Sequence, residues 1–395
     1  MKIREVRAFA IRQMTAGGSY SAGAPGSVEP RRPPWTRDAE VANPMSRYPR
    51  YKALRSSWQA NFPTVGCVVI SDDGSFGFGT TSFGQPVISL INDHLGPRLV
   101  GEDAMATEKL YDMMQRLASA YGPVGIASYA ISAIDLALWD LKGRALGLPV
   151  YALAGGPVRD DIACYATGND TDWHMELGFT ATKLACSYGP ADGLAGLEGN
   201  EKLVAETREL IGPSVDLMLD CWMAFDVEFA VRLAERLRPY QLRWLEDCLT
   251  PENMEAHRSL RERLPWQGLA TGEHWYTPYP FATAASQRLV DIFQPDIAWV
   301  GGFTACRRIA HLAEAAGIEV ILHAGMNTPY GQHFTFSTTN AGWGEYFVGG
   351  GPGVPLVAAT AYAGMAVPQA GRLTPSDAPG FGLDLTLEGI EALAG

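Results

Sequence analysis

Three short stretches decide the fold of this 395-residue chain: 215-VDLMLD-220, 242-LRWLE-246 and 268-GLATGE-273. Each is a run of mostly apolar residues, a pattern that predicts a buried strand. Residues 226–238 and 252–263, which separate the runs, repeat apolar residues at helical spacing. A strand–helix unit that recurs in this way predicts a parallel sheet and assigns the chain to the α/β class.

The same alternation continues on both sides of these stretches. Strands are predicted over Ile162–Ala166, Thr180–Ala185, Asp291–Gln294 and Ile318–Leu322, and helices over Asn200–Ile211, Pro280–Leu289 and Phe303–Ala316. So many strand–helix units within about 190 residues favour a closed (β/α) barrel.

The residues before Pro149 follow a different pattern, which predicts an α+β unit. The expected elements are strands over Lys2–Ala10, Thr64–Ile70 and Phe76–Thr80 and helices over Ala106–Leu117 and Ala127–Gly143. Asp73-Gly74, between the second and third strands, is typical of a hairpin turn. Residues 14–50 are rich in Gly, Pro, Ser and Arg and show no period, so we expect a functional or disordered loop there.

Composition and charge exclude several classes of protein. With 47% hydrophobic and 19% charged residues, the chain can bury a large core, which argues against a disordered protein. The formal net charge of −12 argues against nucleic acid or an anionic membrane as a partner. We find no apolar run of about 20 residues and no signal-peptide pattern, so we expect a cytoplasmic protein. The six cysteines lack metal-binding spacing, and we expect them to be reduced thiols.

An acid closes each of the three quoted stretches, namely Asp220, Glu246 and Glu273. Barrel active sites lie where strands end, so adjacent strands should bring these carboxylates to one mouth. Close carboxylates repel unless a cation lies between them, and oxygen ligands without Cys or paired His suit Mg²⁺. The alternative is that these acids are helix N-caps or solvated loop residues. Three acids in register favour the metal site.

The next two predicted strands lead to Asp296 and His323. A carboxylate bonded to one imidazole nitrogen fixes the tautomer and raises the basicity of the other nitrogen. His323 is therefore predicted to act as a base that Asp296 orients. The alternative is a buried histidine with a structural role, which its position in line with the acids disfavours.

Several motifs in the chain resemble a known family. Residues 133-AIDLALWDLKG-143, 147-GLPVY-151 and Gly155-Gly156 resemble the signature that precedes the barrel in the mandelate racemase subgroup of the enolase superfamily. The three acids, 294-QPD-296 and His323 lie where that subgroup keeps its metal ligands and its Asp–His pair. The resemblance implies a (β/α)7β modified TIM barrel over residues 126–350. It also implies an α+β capping domain over residues 1–125 and a C-terminal segment, 351–395, that completes it.

Further stretches are similar to the L-rhamnonate dehydratases within that subgroup: 44-PMSRY-48, 165-YATG-168, 218-MLDCWM-223 and 272-GEH-274. This resemblance implies a Mg²⁺-dependent hydro-lyase that converts an acid sugar into a 2-keto-3-deoxy acid. It implies that Arg55 contacts the substrate carboxylate and that Glu345, as a protonated acid, supports the enediolate. His274 is a candidate substrate contact or second acid, and the alternative is a packed loop histidine. We expect a homo-oligomer, from a dimer to an octamer, and no nucleic acid or membrane partner.

Two departures from the family bear on substrate and reaction. Pro34-Trp35 stands where these dehydratases carry a His before the Trp, which leaves the identity of the acid sugar open. Lys183-Leu184-Ala185 lacks the second lysine of the racemase-type Lys-x-Lys, and this favours a dehydratase over a racemase. The alternatives are a racemase or epimerase of a 2-hydroxy acid, and an acid-sugar-binding protein without turnover. The loop from Gly17 to Ala42 is expected to close over the mouth.

Overall fold

An antiparallel sheet forms the N-terminal part of the protein. The computed structural model describes residues 1–11, 29–37, 40–52, 62–360, 362 and 365–394. The sheet consists of β1 (Ile3–Ile11), β2 (Thr64–Ser71) and β3 (Phe76–Thr81), paired in that order. At the turn between β2 and β3, Gly74 has a φ of +86°, and the Asp73 carboxylate accepts hydrogen bonds from the Ser71 hydroxyl and the Ser75 N–H. The predicted hairpin is confirmed.

Helix α4 lies against this sheet with backbone touching backbone. The helices in this part are α1 (Gly84–Ser89), a π-helical segment (Leu90–Leu95), α2 (Gly96–Leu99), α3 (Thr107–Leu117) and α4 (Ile126–Leu146). A Cβ atom at Gly77 would lie 2.1 Å from the Ala137 carbonyl oxygen, and one at Gly79 would lie 2.2 Å from that of Ala133. Any side chain at these two positions of β3 would separate the strand from the helix.

Alternating strands and helices form the second part of the protein. They are α5 (Val150–Leu153), β4 (Ile162–Thr167), α6 (Thr171–Glu176), β5 (Ala181–Ala185), α7 (Gly193–Ile211), β6 (Asp216–Asp220), α8 (Val227–Leu237), β7 (Leu245–Glu246), α9 (Met254–Arg263), β8 (Leu269–Thr271), α10 (Pro278–Gln287), β9 (Ile292–Phe293), α11 (Gly302–Ala316), β10 (Glu319–Val320), α12 (Pro329–Ser337) and β11 (Trp343–Phe347). The strands pair in parallel in the order β10-β9-β8-β7-β6-β5-β4-β11. This order confirms the predicted α/β barrel class.

Side chains on or directly beside all eight parallel strands meet in one cluster inside the curved sheet. They are Tyr165, Ala181, Met218, Trp244, Ala270, Ile292, Ile321 and Trp343. At the two ends of the sheet, the Val320 N–H donates to the Asn340 carbonyl at 2.9 Å, which brings β10 next to the chain that enters β11. A layer of side chains shared by every strand is the filled interior of a barrel.

The sequence patterns did not predict helix α12 and strand β11. Helix α12 is buried along nearly its whole length, so no polar face marks it as a helix. Strand β11 reads Trp-Gly-Glu-Tyr-Phe, and the central glutamate interrupts the apolar run expected of a buried strand. This strand pairs in parallel with β4, with Glu345 opposite Tyr165. Glu345 therefore lies in the barrel wall.

The C-terminal segment returns to the N-terminal sheet. It contains β12 (Arg372–Leu373), which pairs antiparallel with β4, and α13 (Leu387–Ala394), which contacts β1. Buried Asp140 on α4 accepts hydrogen bonds from the Phe78 N–H at 3.0 Å and the Phe381 N–H at 2.9 Å. Helix α4 thus joins the sheet to the C-terminal segment.

Cysteines contribute to the core as apolar side chains and form no cross-links. All six are buried and free, as their spacing predicted. Among the residues that the structure describes, no helix is both long and apolar enough to cross a membrane.

Replacing Gly79 with Ala should destabilise the protein by about 1–3 kcal/mol, because the added methyl group would overlap the Ala133 carbonyl. Urea unfolding followed by circular dichroism measures the change. Gly189→Ala is the control, since a Cβ atom there would lie 3.6 Å from its nearest neighbour and φ is −125°. Equal stability of the two variants would show that β3 tolerates a side chain at this contact.

Candidate active site

The ends of consecutive strands bring the predicted acids and histidine to one mouth of the barrel. Asp220 ends β6 and Glu246 ends β7, and the two are direct partners in the parallel pairing. Glu273 follows β8 by two residues, and Asp296 follows β9 by three. His323 follows β10 by three residues. Five strands therefore supply this mouth, in the arrangement that the spacing predicts.

The backbone takes left-handed conformations just past three of these strand ends. Trp222, Asp247 and Ala324 have φ values of +39°, +46° and +45°. Residues other than glycine rarely occupy this region, and each such residue costs on the order of 1–3 kcal/mol. Strain of this kind persists only where the surrounding structure enforces it, and here it coincides with the candidate site.

His323 is held between two carboxylates. Its Nδ1 lies 2.8 Å from Asp296 Oδ2, and its Nε2 lies 3.0 Å from Glu273 Oε2. The other Asp296 oxygen accepts a hydrogen bond from the Ala298 N–H at 2.7 Å, which fixes that carboxylate. Burial alone would lower the pKa of His323, but Glu273 and Asp296 outweigh it and raise the pKa to about 10. In this arrangement the imidazole holds its proton.

A second imidazole, His274, faces the other oxygen of Glu273. Its Nδ1 lies 3.1 Å from Glu273 Oε1 and 3.2 Å from Asp247 Oδ2. The Thr271 hydroxyl donates to the other Asp247 oxygen at 2.6 Å. Burial would lower the pKa of His274, whereas Glu273 and Asp247 raise it to about 9. The site thus contains a second Asp–His pair, and both pairs share Glu273.

Sequence reasoning missed Asp247, although it follows a predicted ligand directly. Consecutive residues of a strand point to opposite faces, so an acid after Glu246 is expected to point away from the mouth. The left-handed backbone at Asp247 breaks this alternation. As a result, two neighbouring acids both face the site. The feature of the sequence that could have identified Asp247 is the pair of successive acids, Glu246 and Asp247, at the end of this strand.

Lys183 is fully buried in β5 and bridges two glutamates. Its Nζ is in hydrogen-bond contact with Glu246 Oε1 and lies 2.8 Å from Glu345 Oε1. Burial alone would lower the pKa of Lys183, but the two glutamates raise it well above its ordinary value. Lys183 is therefore a fixed positive charge inside the barrel wall.

Glu345 is held as a carboxylate. Besides the contact with Lys183, it accepts hydrogen bonds from the Thr167 hydroxyl at 2.5 Å and the Ala324 N–H at 2.9 Å. Burial alone would raise its pKa, but Lys183 and His323 lower the pKa to about 2. The family resemblance implied a protonated Glu345. Lys183 and the two hydrogen-bond donors around Glu345 favour its ionised form instead.

The donor set at this mouth fits a hard divalent cation. Lys183 and two imidazoles lie at this mouth together with six carboxyl groups. The carboxyl groups are those of Asp220, Glu246, Asp247, Glu273, Asp296 and Glu345. Burial and neighbouring acids raise the pKa of Asp220 to about 6 and that of Glu246 to about 7, although Lys183 opposes both shifts. Asp247, Glu273 and His274 form the one group of metal-ligating side chains, within the described ranges, whose ligand atoms all lie within 4.8 Å of one another. Crowded buried acids of this kind need a positive counter-charge.

The N-terminal loop reaches the mouth at Trp35. The Trp35 ring lies beside Phe347, at the end of β11, with ring centroids 6.1 Å apart. Its indole nitrogen lies over Gly168, which follows β4. Pro34 and Trp35 therefore cover one side of the mouth. Arg55, the predicted contact for a substrate carboxylate, lies outside the described residues.

Comparisons with known proteins agree along the whole chain. Residues 38–155 match the mandelate racemase/muconate lactonizing enzyme N-terminal domain, and residues 171–389 match the enolase C-terminal domain-like family. An L-rhamnonate dehydratase of Saccharopolyspora erythraea is 38% identical over 395 residues, which cover 98% of this chain and 97% of that protein. A Caldivirga maquilingensis protein, provisionally named L-rhamnonate dehydratase, is 41% identical over 350 residues, 87% of each chain.

Solved structures agree with the sequence comparisons. The crystal structure of rhamnonate dehydratase from Gibberella zeae, complexed with Mg, has a TM-score of 0.90 and 32% sequence identity. That comparison covers 99% of this chain and 95% of the other. A magnesium-bound racemase from Streptomyces coelicolor has a TM-score of 0.78 and 25% identity over 100% of both chains. The two domain matches and the near-complete relatives show that this chain belongs to the mandelate racemase/muconate lactonizing enzyme family.

Proposed function

We propose that this enzyme is an acid-sugar dehydratase. It removes the proton α to the carboxylate of an L-rhamnonate-like aldonate and eliminates the 3-hydroxyl as water, which leaves a 2-keto-3-deoxy acid. The Asp296–His323 pair carries the proposal, because the 2.8 Å contact between His323 Nδ1 and Asp296 Oδ2 orients one imidazole beside the acid cluster. The names of the relatives, L-rhamnonate dehydratase in two organisms, support this reaction class.

His323 is the base in this proposal. The contact of its Nδ1 with Asp296 keeps the ring oriented so that Nε2 faces the mouth. Nε2 faces the Glu273 carboxylate, whose charge helps to hold the proton on the ring. If a cation compensates the charge of Glu273, the pKa of the imidazole falls, and Nε2 can accept the α-proton.

We assign Asp220, Glu246 and Glu273, which follow three adjacent strands, as the residues that would hold Mg²⁺, although only Glu273 of these belongs to the close group that it forms with Asp247 and His274. The ion would neutralise the substrate carboxylate and make the α-proton more acidic. The Glu246 side chain is fixed in position, since its Oε2 accepts hydrogen bonds from Gln294 Nε2 at 2.6 Å and from the Trp244 indole at 2.9 Å. Lys183 and Glu345 neutralise one another in the wall beside it.

Elimination fits the site better than racemisation because β5 supplies no second base. Racemisation needs a base on each face of the α-carbon, and Ala185 stands where the racemases carry the second lysine. Lys183, two residues earlier, is buried between two glutamates that raise its pKa, so it keeps its proton near neutral pH.

An epimerase is the second candidate, and the Asp247–His274 pair is the observation that favours it. His274 and His323 both contact Glu273, and each could exchange a proton at one face of the α-carbon. In a dehydratase, His323 or His274 would instead protonate the departing 3-hydroxyl. The two reactions differ in product, because an epimerase keeps the hydroxyl group that a dehydratase releases.

A panel of acid sugars tests the proposal. The panel contains L-rhamnonate, its single-carbon epimers and the analogues with a 6-hydroxyl, each incubated with the protein and Mg²⁺ in D₂O. We expect a 2-keto-3-deoxy acid from at least one member, loss of the activity on chelation and recovery on adding Mg²⁺. Deuterium uptake without keto acid would identify an epimerase. Thermal stabilisation by a sugar without uptake or product would identify a binding protein.

His323→Asn should lower kcat by about 10²–10⁴-fold, because the base is lost while the acids remain. Mg²⁺-dependent thermal stabilisation should persist in this variant. His311→Asn, at an exposed position of α11, is the matched control and should keep full activity. Substantial residual turnover by His323→Asn would contradict the assignment of the base.

Lys183→Met should destabilise the fold by about 3–5 kcal/mol, because it leaves Glu246 and Glu345 buried without their counter-charge. Adding Glu345→Gln should recover part of the loss, since one uncompensated carboxylate is removed. Guanidinium unfolding measures both variants, and Lys202→Met, on the exposed face of α7, is the control. If the double variant loses as much stability as Lys183→Met and Glu345→Gln lose together when each is measured alone, Lys183 and Glu345 do not interact.

A further inference from the structure

The segment at residues 29–37, here called the strap, is held across the barrel mouth by ion pairs of Arg32. The Arg32 guanidinium lies 2.9 Å from Asp170 and 2.6 Å from Asp172, and Asp170 also accepts the Trp35 N–H at 3.0 Å. The Arg32 side chain is 46% exposed. The exposed pair with Asp172 contributes about 0–1 kcal/mol, and both pairs, including the one with buried Asp170, fix Arg32 and not the Trp35 ring. A precise position for Trp35 needs a further contact.

The indole of Trp35 carries a buried donor that lacks a partner. Its Nε1 has no hydrogen-bond partner among the residues that the structure describes. The same atom would lie 2.6 Å from a Cβ atom at Gly168. The absence of a side chain at Gly168, whose φ is +145°, therefore makes room for the indole edge.

A possible acceptor for the indole hydrogen, the Nε2 atom of His174, lies beside the same glycine. His174 on α6 is fully buried, and its Nδ1 lies 2.7 Å from the Thr182 hydroxyl. Its Nε2 has no partner within the described part of the chain, and it would lie 3.4 Å from the same Cβ position at Gly168. Burial lowers the pKa of His174 to about 3, so the ring is neutral. With the hydrogen on Nδ1, Nε2 is an acceptor.

Donor and acceptor thus face one small gap beside Gly168. A buried polar group without a partner costs about 1–3 kcal/mol, and here two such groups of opposite kind are neighbours. One hydrogen bond, or one water with a bond to each nitrogen, would satisfy both.

We propose that His174 is a positioning residue of this enzyme: its Nε2 accepts the Trp35 indole hydrogen, directly or through one water. The bond holds the indole beside Phe347 and Gly168, at the ends of β11 and β4. Trp35 then forms a fixed wall of the substrate site, while His174 itself touches no substrate. The kinetic consequence rests on the proposed dehydratase function, whereas the hydrogen bond itself does not.

Kinetics of three variants test the positioning role. His174→Phe should raise KM for the acid sugar about three- to tenfold and leave kcat within about twofold, as expected for the loss of one hydrogen bond that orders the wall. His174→Gln, which keeps an acceptor, should restore most of the KM. His333→Phe is the matched control, because His333 is equally buried, also has an Nε2 without a described partner, and faces Tyr151 and Phe381 instead of the strap. Equal changes in His174→Phe and His333→Phe would overturn the proposal.

Exchange of the indole hydrogen tests the bond independently of turnover. In ¹⁵N-labelled protein, with the signal assigned by Trp35→Phe, the Trp35 indole hydrogen should exchange with D₂O faster in His174→Phe than in the wild type. It should be unaffected in His333→Phe. An unchanged exchange rate in His174→Phe would overturn the proposal even if KM rises. If no acid sugar is turned over, the proposed function fails, while the exchange rate still decides the role of His174. Should His174→Phe not fold, Gly168→Ala takes its place, because its added methyl group would displace the indole edge and should speed the exchange in the same way. An unchanged rate in Gly168→Ala would then overturn the proposal.

Discussion

One buried positive charge, Lys183, holds the active site together. It lies on β5 and contacts Glu246 at the end of β7 and Glu345 on β11. Glu345 in turn accepts hydrogen bonds from Thr167 on β4 and from the backbone after His323. A single lysine therefore ties together strands from both halves of the barrel sheet. Removing a charge with two buried partners leaves both partners uncompensated, which is why so much of the site depends on it.

Glu273 is the second shared element of the site. Its two oxygens face two imidazoles, His323 and His274, and a separate aspartate orients each ring. A cation bound by Glu273 would change the charge beside both imidazoles at once. In the proposed mechanism, the protonation of His323 would therefore depend on occupation of the metal site.

How far the sequence predicts this site depends on where each residue lies. Asp220, Asp296 and His323 could be found because each closes or follows an apolar run. In a parallel barrel all such runs end at the same face, where the active site lies. Asp247 could not be found in this way, since a left-handed residue reverses the direction expected from strand alternation. Strand β11 was hidden because its central residue is a glutamate, which only Lys183 makes tolerable in the barrel wall.

The sequence by itself determined most of the strands and helices up to β10, the family and the acids that close the three apolar runs, because these follow from periodicity and from residue types along the chain. Only the tertiary structure decided the ionisation of Glu345, the pairing of Asp247 with His274 and the meeting of Trp35 with His174 across Gly168. Each of these depends on distances between residues far apart in the chain and on burial, which determine the energy of a charge or an unpaired polar group. The three acids that close the fold-determining stretches can thus be identified from their spacing in the sequence. The groups that balance their charge can be identified only from the packing of the folded chain.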